Sequence, residues 1–224
     1  MESKNTFESK RVPLLSITFS LENETARVKE TIEKLSWYRQ HYGESNARLP
    51  EGVGDKTSMG DVAGIVSAEF NEDIYNDFAQ HVQKEWANIS NEIKRLSEMP
   101  DFHLLESYIL RLTRYGSGGS YDSSRGIIIA SIELRSKEKI GGTIIHEITH
   151  VGIEHLIKKY DLGHWQKEHL VDLIVDRYFP DLRKMQKIEE DVSGIDEAFQ
   201  RHFPDIEAVV RAVGEGKQEK ASQE

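Results

Sequence analysis

One stretch of fifteen residues, "GTIIHEITHVGIEHL" from Gly142 to Leu156, constrains the fold of this chain more than any other. It places His146 and His150 four residues apart, with Glu147 directly after the first histidine. Residues four apart lie on one face of an α-helix, so the two imidazole rings can point towards one position. Apolar residues occupy most other positions, which is typical of a buried helix. Two histidines and a glutamate are costly to bury without partners, and a metal ion would supply one. The apolar positions are Ile144, Ile145, Ile148, Val151, Ile153 and Leu156.

This H-E-x-x-H pattern is a signature of zinc peptidases, in which the glutamate acts as general base. Glu147 lies about 100° round the helix from His146, so its carboxylate can reach a metal-bound water without ligating the metal. These residues alone leave three interpretations open. They are a catalytic metal site, a closed structural metal site, and a helix that carries histidines by chance.

Composition narrows the kind of metal site and the kinds of partner. The 224 residues include no cysteine, so any metal must be held by His, Asp or Glu, which suits zinc or another borderline divalent ion. A net charge of -10 with dispersed basic residues argues against binding to nucleic acid or to anionic membranes. No apolar run approaches the roughly 18 residues of a membrane span, and the first residues do not resemble an export signal. We therefore expect a cytoplasmic protein.

Periodicity and turn signals predict an α+β fold that is mostly helical, with a small sheet. Segment 101–115 has helical spacing but the residue types of a strand, so its structure stays open. "GSGGSYDSS" (116–124) is predicted to be a turn or flexible loop because Gly and Ser favour turns and flexible segments. The other predictions are strands at 14–22 and 125–134, a loop at 44–61, and helices at 23–43, 71–99, 136–160, 164–179 and 181–213, the last broken near Pro204.

These elements divide the chain into five predicted segments. The segment 116–180 carries the H-E-x-x-H helix and is expected to form a compact core. The helical segment 62–115 is expected to pack on that core. The segments are an N-terminal strand, helix and loop (1–61), a helical region packing on the core (62–115), the core itself (116–180), C-terminal helices (181–213) and a disordered tail (214–224).

A second acidic pattern follows the first helix. "KEHLVDLIVDRYF" contains Glu168, Asp172 and Asp176 at steps of four, in an otherwise apolar helix. Glu168 lies 18 residues after His150. A glutamate on the helix after H-E-x-x-H, with an aspartate four residues later, resembles the gluzincin branch of zinc metallopeptidases, the thermolysin-like families. The metzincin pattern does not match, because Ile and Leu occupy its glycine and third-histidine positions.

The resemblance covers 126–179, points to a compact gluzincin without identifying a subfamily, and implies roles for individual residues. It implies a zincin-like core that binds one Zn²⁺ per chain through His146, His150 and Glu168. It also implies that Asp172 accepts a hydrogen bond from the ring N–H of a ligand histidine, His146 being expected. Such acceptors fix the tautomer and orientation of ligand histidines. His155 lies in the wrong phase to be a ligand, and Asp176 is given no role.

The resemblance further implies how a substrate would bind. In gluzincins the strand before the active helix is an edge strand of the sheet, so it borders the cleft and pairs with an extended peptide. "GIIIASIEL" occupies that place, so Ile128 and Ala130 are expected to contact substrate, together with Tyr121. The residue that would stabilise the oxyanion stays open. Candidates for it are Tyr121, His155, His164, His169 and Tyr178.

The predicted function is that of a zinc metallopeptidase, a hydrolase of peptides or proteins. Glu147 would assist attack of a zinc-bound water on the peptide bond. The alternatives are a metal-binding regulatory or partner-binding protein with a latent or non-proteolytic site, and an interaction protein without metal. Oligomeric state, cleavage specificity and the choice between exo- and endo-action do not follow from the sequence.

Overall fold

The computed structural model describes residues 11–42, 47–182 and 192–221, and it shows an α+β fold that is mostly helical. Within these ranges four strands form one mixed sheet, and α-helices pack against it and against one another. The elements are β1 (Leu14–Thr18), α1 (Leu21–Glu33), α2 (Leu35–Tyr42), α3 (Val62–Glu69), α4 (Glu72–Ile93), β2 (Ser107–Thr113), β3 (Gly119–Asp122), β4 (Ile127–Ser131), α5 (Ile140–Lys159), α6 (His164–Tyr178), α7 (Ser193–His202) and α8 (Ile206–Ala221).

The strand before the H-E-x-x-H helix is an inner strand, which corrects the expectation that it forms the sheet edge. The strand order is β1-β2-β4-β3, with β1, β2 and β4 parallel. Only β3 runs antiparallel, and it forms the edge next to β4. The continuous apolar run of β4 fits an inner position, because strands covered on both faces lack polar alternation.

Two segments became strands through pairing that their local sequence does not reveal. The segment with mixed signals, 101–115, contains β2, which is hydrogen-bonded to β1 on one side and β4 on the other. The predicted loop 116–124 contains β3, so that expectation was wrong. Gly119 and Ser120 have weak strand propensity, but the exposed edge of β4 satisfies their backbone groups.

The helices largely follow the sequence pattern. Asn71 caps α4, accepting a hydrogen bond from the Asp73 N–H at 3.0 Å, as the capping preference predicts. The single helix predicted at 23–43 forms two helices, α1 and α2, and Ser20 is the N-cap of α1. The break near Pro204 is confirmed, since α7 ends at His202 and α8 begins at Ile206.

The tail predicted to be disordered is helical as far as Ala221. Residues 206–213 are anchored by buried apolar side chains, and each further residue needs only one more backbone hydrogen bond to extend the helix. The sequence "KQEKA" consists of good helix formers, so the helix continues beyond the packed part. Residues 222–224 lie outside the described part of the chain.

Helix α5 lies at the centre of the main hydrophobic cluster. It packs on α4, α6 and α8 and on strands β3 and β4, so its apolar positions are buried nearly all round. The cluster takes side chains from Tyr75 to Val213, and segments 62–115, 116–180 and 181–213 therefore share one core. None of the helices in the described ranges has the length and apolar character needed to cross a bilayer.

A buried carboxylate joins α1 to this core, and its loss should be costly. Glu24 is fully buried and accepts hydrogen bonds from Tyr75 Oη at 2.6 Å, Thr113 Oγ1 at 2.8 Å and the Arg114 N–H at 2.9 Å. Burial raises its pKa, and these three donors and the Arg114 charge oppose the rise. Because Glu24→Ala leaves three donors without their acceptor, we expect unfolding free energy to fall by about 2–4 kcal/mol.

Glu33→Ala on the same helix is the matched control for this stability prediction. Glu33 is an exposed carboxylate at the last position of α1. Substitutions of exposed residues usually change stability by roughly 0.5 kcal/mol or less. Urea unfolding of both variants measures the difference, and equal losses would contradict the role assigned to Glu24.

Candidate metal centre

Helices α5 and α6 bring together the residues that the two sequence patterns singled out. His146 and His150 lie one turn apart on α5, and Glu168 and Asp172 lie one turn apart on α6. Where the two helices pack, His146, His150 and Glu168 direct one ligand atom each into a common space. This group could hold a metal ion.

The spacing of the three ligand atoms fits a tetrahedral metal. His146 Nε2 lies 3.0 Å from His150 Nε2 and 3.3 Å from Glu168 Oε2. His150 Nε2 lies 3.4 Å from Glu168 Oε2. Ligands at about 2.0–2.1 Å from a tetrahedral ion are about 3.3–3.4 Å apart, so the observed triangle is close to one face of such a site. Three protein ligands leave one tetrahedral position for a water or a substrate.

Asp172 holds the first ligand histidine from the other side of its ring. Its Oδ1 lies 3.3 Å from His146 Nδ1. A proton on Nδ1 would be shared with this carboxylate, which leaves the Nε2 lone pair directed towards the ligand group. This is the arrangement that the sequence resemblance implied for Asp172.

The second ligand histidine is held by stacking. Its ring lies parallel to Tyr121 of β3, with centroids 4.9 Å apart and an interplanar angle of 11°. Within the described residues, Nδ1 of His150 is buried without a hydrogen-bond partner. Tyr121 is itself held by Glu154, whose carboxylate accepts its hydroxyl hydrogen at 2.6 Å, and by Lys167 at 3.3 Å. The β3 strand therefore supports the site directly.

Glu147 lies beside the ligand group and is buried against β3. A methyl group added at Gly119 would overlap its Oε1 atom, so the carboxylate lies directly on the strand backbone. Burial raises the pKa of Glu147 to about 7, and the Glu168 charge adds to the rise. A carboxylate with a pKa near neutrality can both accept and return a proton, as a general base requires.

The three residues of this group have strongly perturbed pKa values. Burial lowers the pKa of His150 to about 4. Burial also disfavours charged His146, but hydrogen bonds to Asp172 and Glu168 raise its pKa to about 10. Burial opposes ionisation of Glu168, but the neighbouring histidines lower its pKa. A metal ion would replace the proton on His146, so binding would release it.

The residues of this group line an open cleft. Of the three residues predicted to contact substrate, one lines this cleft and two do not. Tyr121 lines the cleft. Ile128 and Ala130 are fully buried in the core, so the expectation that they contact substrate is wrong. Their backbone groups also pair with β2 and β3, which leaves no hydrogen bonds for a peptide. The strand whose outer edge can pair with an extended chain is β3.

The remaining oxyanion candidates are in different places. His164 lines the cleft, with Nδ1 3.9 Å from Glu168 Oε1. Partly buried His155 stacks on exposed His103, and buried His169 pairs with Asp196 at 2.9 Å, and neither histidine lines the cleft. Tyr178 packs against Phe203 and does not line the cleft.

Two residues that lie at the site were not predicted from the sequence. Gly119 provides the flat strand surface that Glu147 occupies, and Arg135 places a guanidinium in the same cleft. Three glycines within four residues at 116–119 were the available signal for a close backbone approach. Nothing in the local sequence distinguishes Arg135 from other arginines of the chain.

Asp172→Asn is expected to weaken metal binding about 10–100-fold without removing the site. The amide keeps the size of the carboxylate but provides a neutral, weaker acceptor for His146. Competition with a chromophoric chelator measures the affinity. Asp181→Asn, at the rim of the same cleft, is the control and should leave the affinity unchanged. Equal affinities of Asp172→Asn and wild type would contradict the orienting role.

Comparisons of the chain with protein-family models, with curated proteins and with solved structures find no match.

Proposed function

We propose that the chain is a zinc-dependent peptidase with a gluzincin-like site in a compact zincin-like core. The observation that carries the proposal is the triangle of ligand atoms from His146, His150 and Glu168, with sides of 3.0, 3.3 and 3.4 Å. Two imidazoles and one carboxylate form a donor set used by catalytic zinc. The two imidazole ligands and the single carboxylate favour zinc over Mg²⁺ or Ca²⁺, which prefer oxygen ligands.

Zinc bound there would supply an acidified water and polarise a peptide carbonyl. The protein's own residues would perform the proton transfers and the positioning. Glu147 would accept a proton during attack and deliver it to the leaving amine. Asp172 would keep His146 oriented, and Tyr121 would keep His150 oriented. The contacts that each side chain makes support these roles.

The shape of the cleft favours a peptide over a small metabolite. The cleft has a volume of about 1490 Å³, which exceeds the roughly 300–1,000 Å³ of pockets for small ligands. The free edge of β3 runs beside the ligand residues, since Tyr121 stacks on His150 and Gly119 contacts Glu147. An extended peptide could add to this edge by main-chain hydrogen bonds.

Metal content and peptide cleavage together test the proposal. Elemental analysis should find about one zinc ion per wild-type chain and a near-complete loss in His150→Ala, because two remaining ligands hold zinc weakly. His155→Ala, on the same helix but outside the site, is the control and should keep its zinc. The zinc-loaded wild type should cleave members of a quenched-fluorescence peptide library, and chelation should stop the cleavage.

The other two interpretations predict different results. A chain that binds zinc but cleaves no peptide or protein would favour a regulatory or partner-binding protein over a peptidase. A chain that binds no divalent metal at micromolar concentrations would contradict both metal-dependent functions.

A further inference from the structure

Arg135, in the segment between β4 and α5, lines the cleft, and its Nε atom is buried without a hydrogen-bond partner in the described part of the chain. Arg27, which also lines the cleft, has an unpartnered buried Nε too, but another of its nitrogens donates to Glu30 at 3.1 Å. Arg125 donates to Asp122 at 2.6 Å. Among the described residues, none accepts a hydrogen bond from the Arg135 guanidinium, so a ligand in the cleft can supply the acceptor.

The surroundings of Arg135 make this unpaired state costly. Burial lowers the pKa of Arg135, and the charge of Glu147 opposes that effect. A guanidinium stays charged in proteins, so its donors must be satisfied by something else. Leaving buried donors of a charged group unsatisfied costs more than leaving neutral ones. A ligand that supplied acceptors would remove this cost on binding.

The position of Arg135 relates it to the proposed chemistry. A methyl group added at Gly118 would overlap the Arg135 guanidinium, and one added at Gly119 would overlap Glu147. Consecutive Cα atoms are about 3.8 Å apart, so the guanidinium and the carboxylate contact adjacent residues of one segment. Both side chains line the same cleft, so a group bound by Arg135 would lie within one or two residues of the bond on which Glu147 would act.

We infer that Arg135 is a specificity-determining residue that binds a substrate carboxylate within two residues of the cleaved bond. This inference rests on the proposed peptidase function. A guanidinium presents its donors in a planar fork that matches the two oxygens of a carboxylate. A peptide carbonyl offers a single oxygen and would use half of that fork. The carboxylate has two sources, the carboxyl terminus of the peptide or an acidic side chain.

Two peptide pairs that differ in a single carboxylate test the inference and separate the sources. The first pair is acetyl-Ala-Phe-Ala with a free or an amidated carboxyl terminus. The second pair is the amide of acetyl-Ala-Phe-Glu-Ala and its counterpart with Gln in place of Glu. In one of the two pairs, the kcat/KM of the zinc-loaded wild type should be about 10–100-fold higher for the peptide with the carboxylate than for its partner without it. Charge-assisted hydrogen bonds are strong enough for a difference of this size. The pair that shows this ratio identifies the source.

Variants connect that ratio to Arg135. The ratio should fall to about 1 in Arg135→Gln, and Arg135→Lys should keep part of it because a point charge remains. Arg125→Gln removes the same charge from the same cleft and should keep the full ratio, since Arg125 is already paired with Asp122. A wild-type ratio near 1, or a ratio that Arg135→Gln leaves unchanged, would overturn the inference.

A binding measurement separates this inference from the proposed function. Zinc-loaded Glu147→Gln protein should bind the carboxylate member of the pair about 10–100-fold more tightly by calorimetry, and adding Arg135→Gln should abolish the difference. If binding depends on Arg135 in this way but the wild type cleaves no peptide, the carboxylate site is supported and the peptidase proposal is overturned. If the wild type cleaves peptides but the two members of each pair bind equally, the peptidase proposal is supported and the carboxylate site is overturned. Failure of all four peptides to bind would overturn the carboxylate site.

Discussion

Replacing Glu147 with Gln is expected to reduce kcat/KM for peptide hydrolysis about 10²–10⁴-fold, the usual contribution of a general base. The carboxylate lies beside the ligand group without belonging to it, so one zinc ion should remain bound. The amide has the same shape and can occupy the same surface at Gly119, but it cannot accept the proton. The measurement is a comparison of kcat/KM and zinc content for the two proteins.

Glu138→Gln is the matched control for this prediction. Glu138 is an exposed carboxylate at the rim of the same cleft, in the turn before α5. Its replacement changes the net charge equally but leaves the ligand group untouched, so turnover should stay near the wild-type value. Equal turnover of Glu147→Gln and wild type would contradict the assigned mechanism, whatever the metal content.

Gly119→Ala is expected to lower kcat/KM about 10²-fold while leaving the fold nearly as stable as wild type. The added methyl group would overlap Glu147 Oε1 and would lie 3.1 Å from Thr143 Cγ2. The carboxylate is the end of a flexible side chain, so it can move aside at little cost to stability. A displacement of about 1 Å is enough to reduce catalysis by this factor.

Two comparisons show whether the effect arises from displaced Glu147. Gly64→Ala on α3, where an added methyl group meets nothing within 4 Å, should leave activity unchanged. Thermal unfolding should show a small change for Gly119→Ala, in contrast to Glu24→Ala. A Gly119→Ala protein with full activity would show that the position of Glu147 on β3 is irrelevant to turnover.

Much of the candidate site could be predicted from short-range patterns. Residues four apart on a helix share a face in any fold, so His146 with His150, and Glu168 with Asp172, were paired before the helices were placed. The helices themselves followed from apolar periodicity and caps such as Asn71. The prediction that the histidine pair meets the carboxylate pair came from a family resemblance. In the structure, the packing of α5 on α6 brings the two pairs together.

The surroundings of the site could not be predicted in this way because they depend on contacts between distant segments. A strand is defined by its partner, and the Gly- and Ser-rich β3 became ordered only by pairing with β4. That pairing moved the sheet edge away from Ile128 and Ala130, although β4 itself was correctly predicted as a strand.

The sequence by itself determined the helices α4, α5 and α6 and which faces of α5 and α6 carry the histidines and carboxylates, because helical periodicity and capping act within a few residues. The tertiary structure alone decided which strand borders the cleft, that Tyr121 stacks on His150, that Glu147 contacts Gly119, and that Arg135 packs against Gly118. Each of these contacts joins separate secondary-structure elements or segments, so each exists only once the sheet is paired and α5 is packed against it.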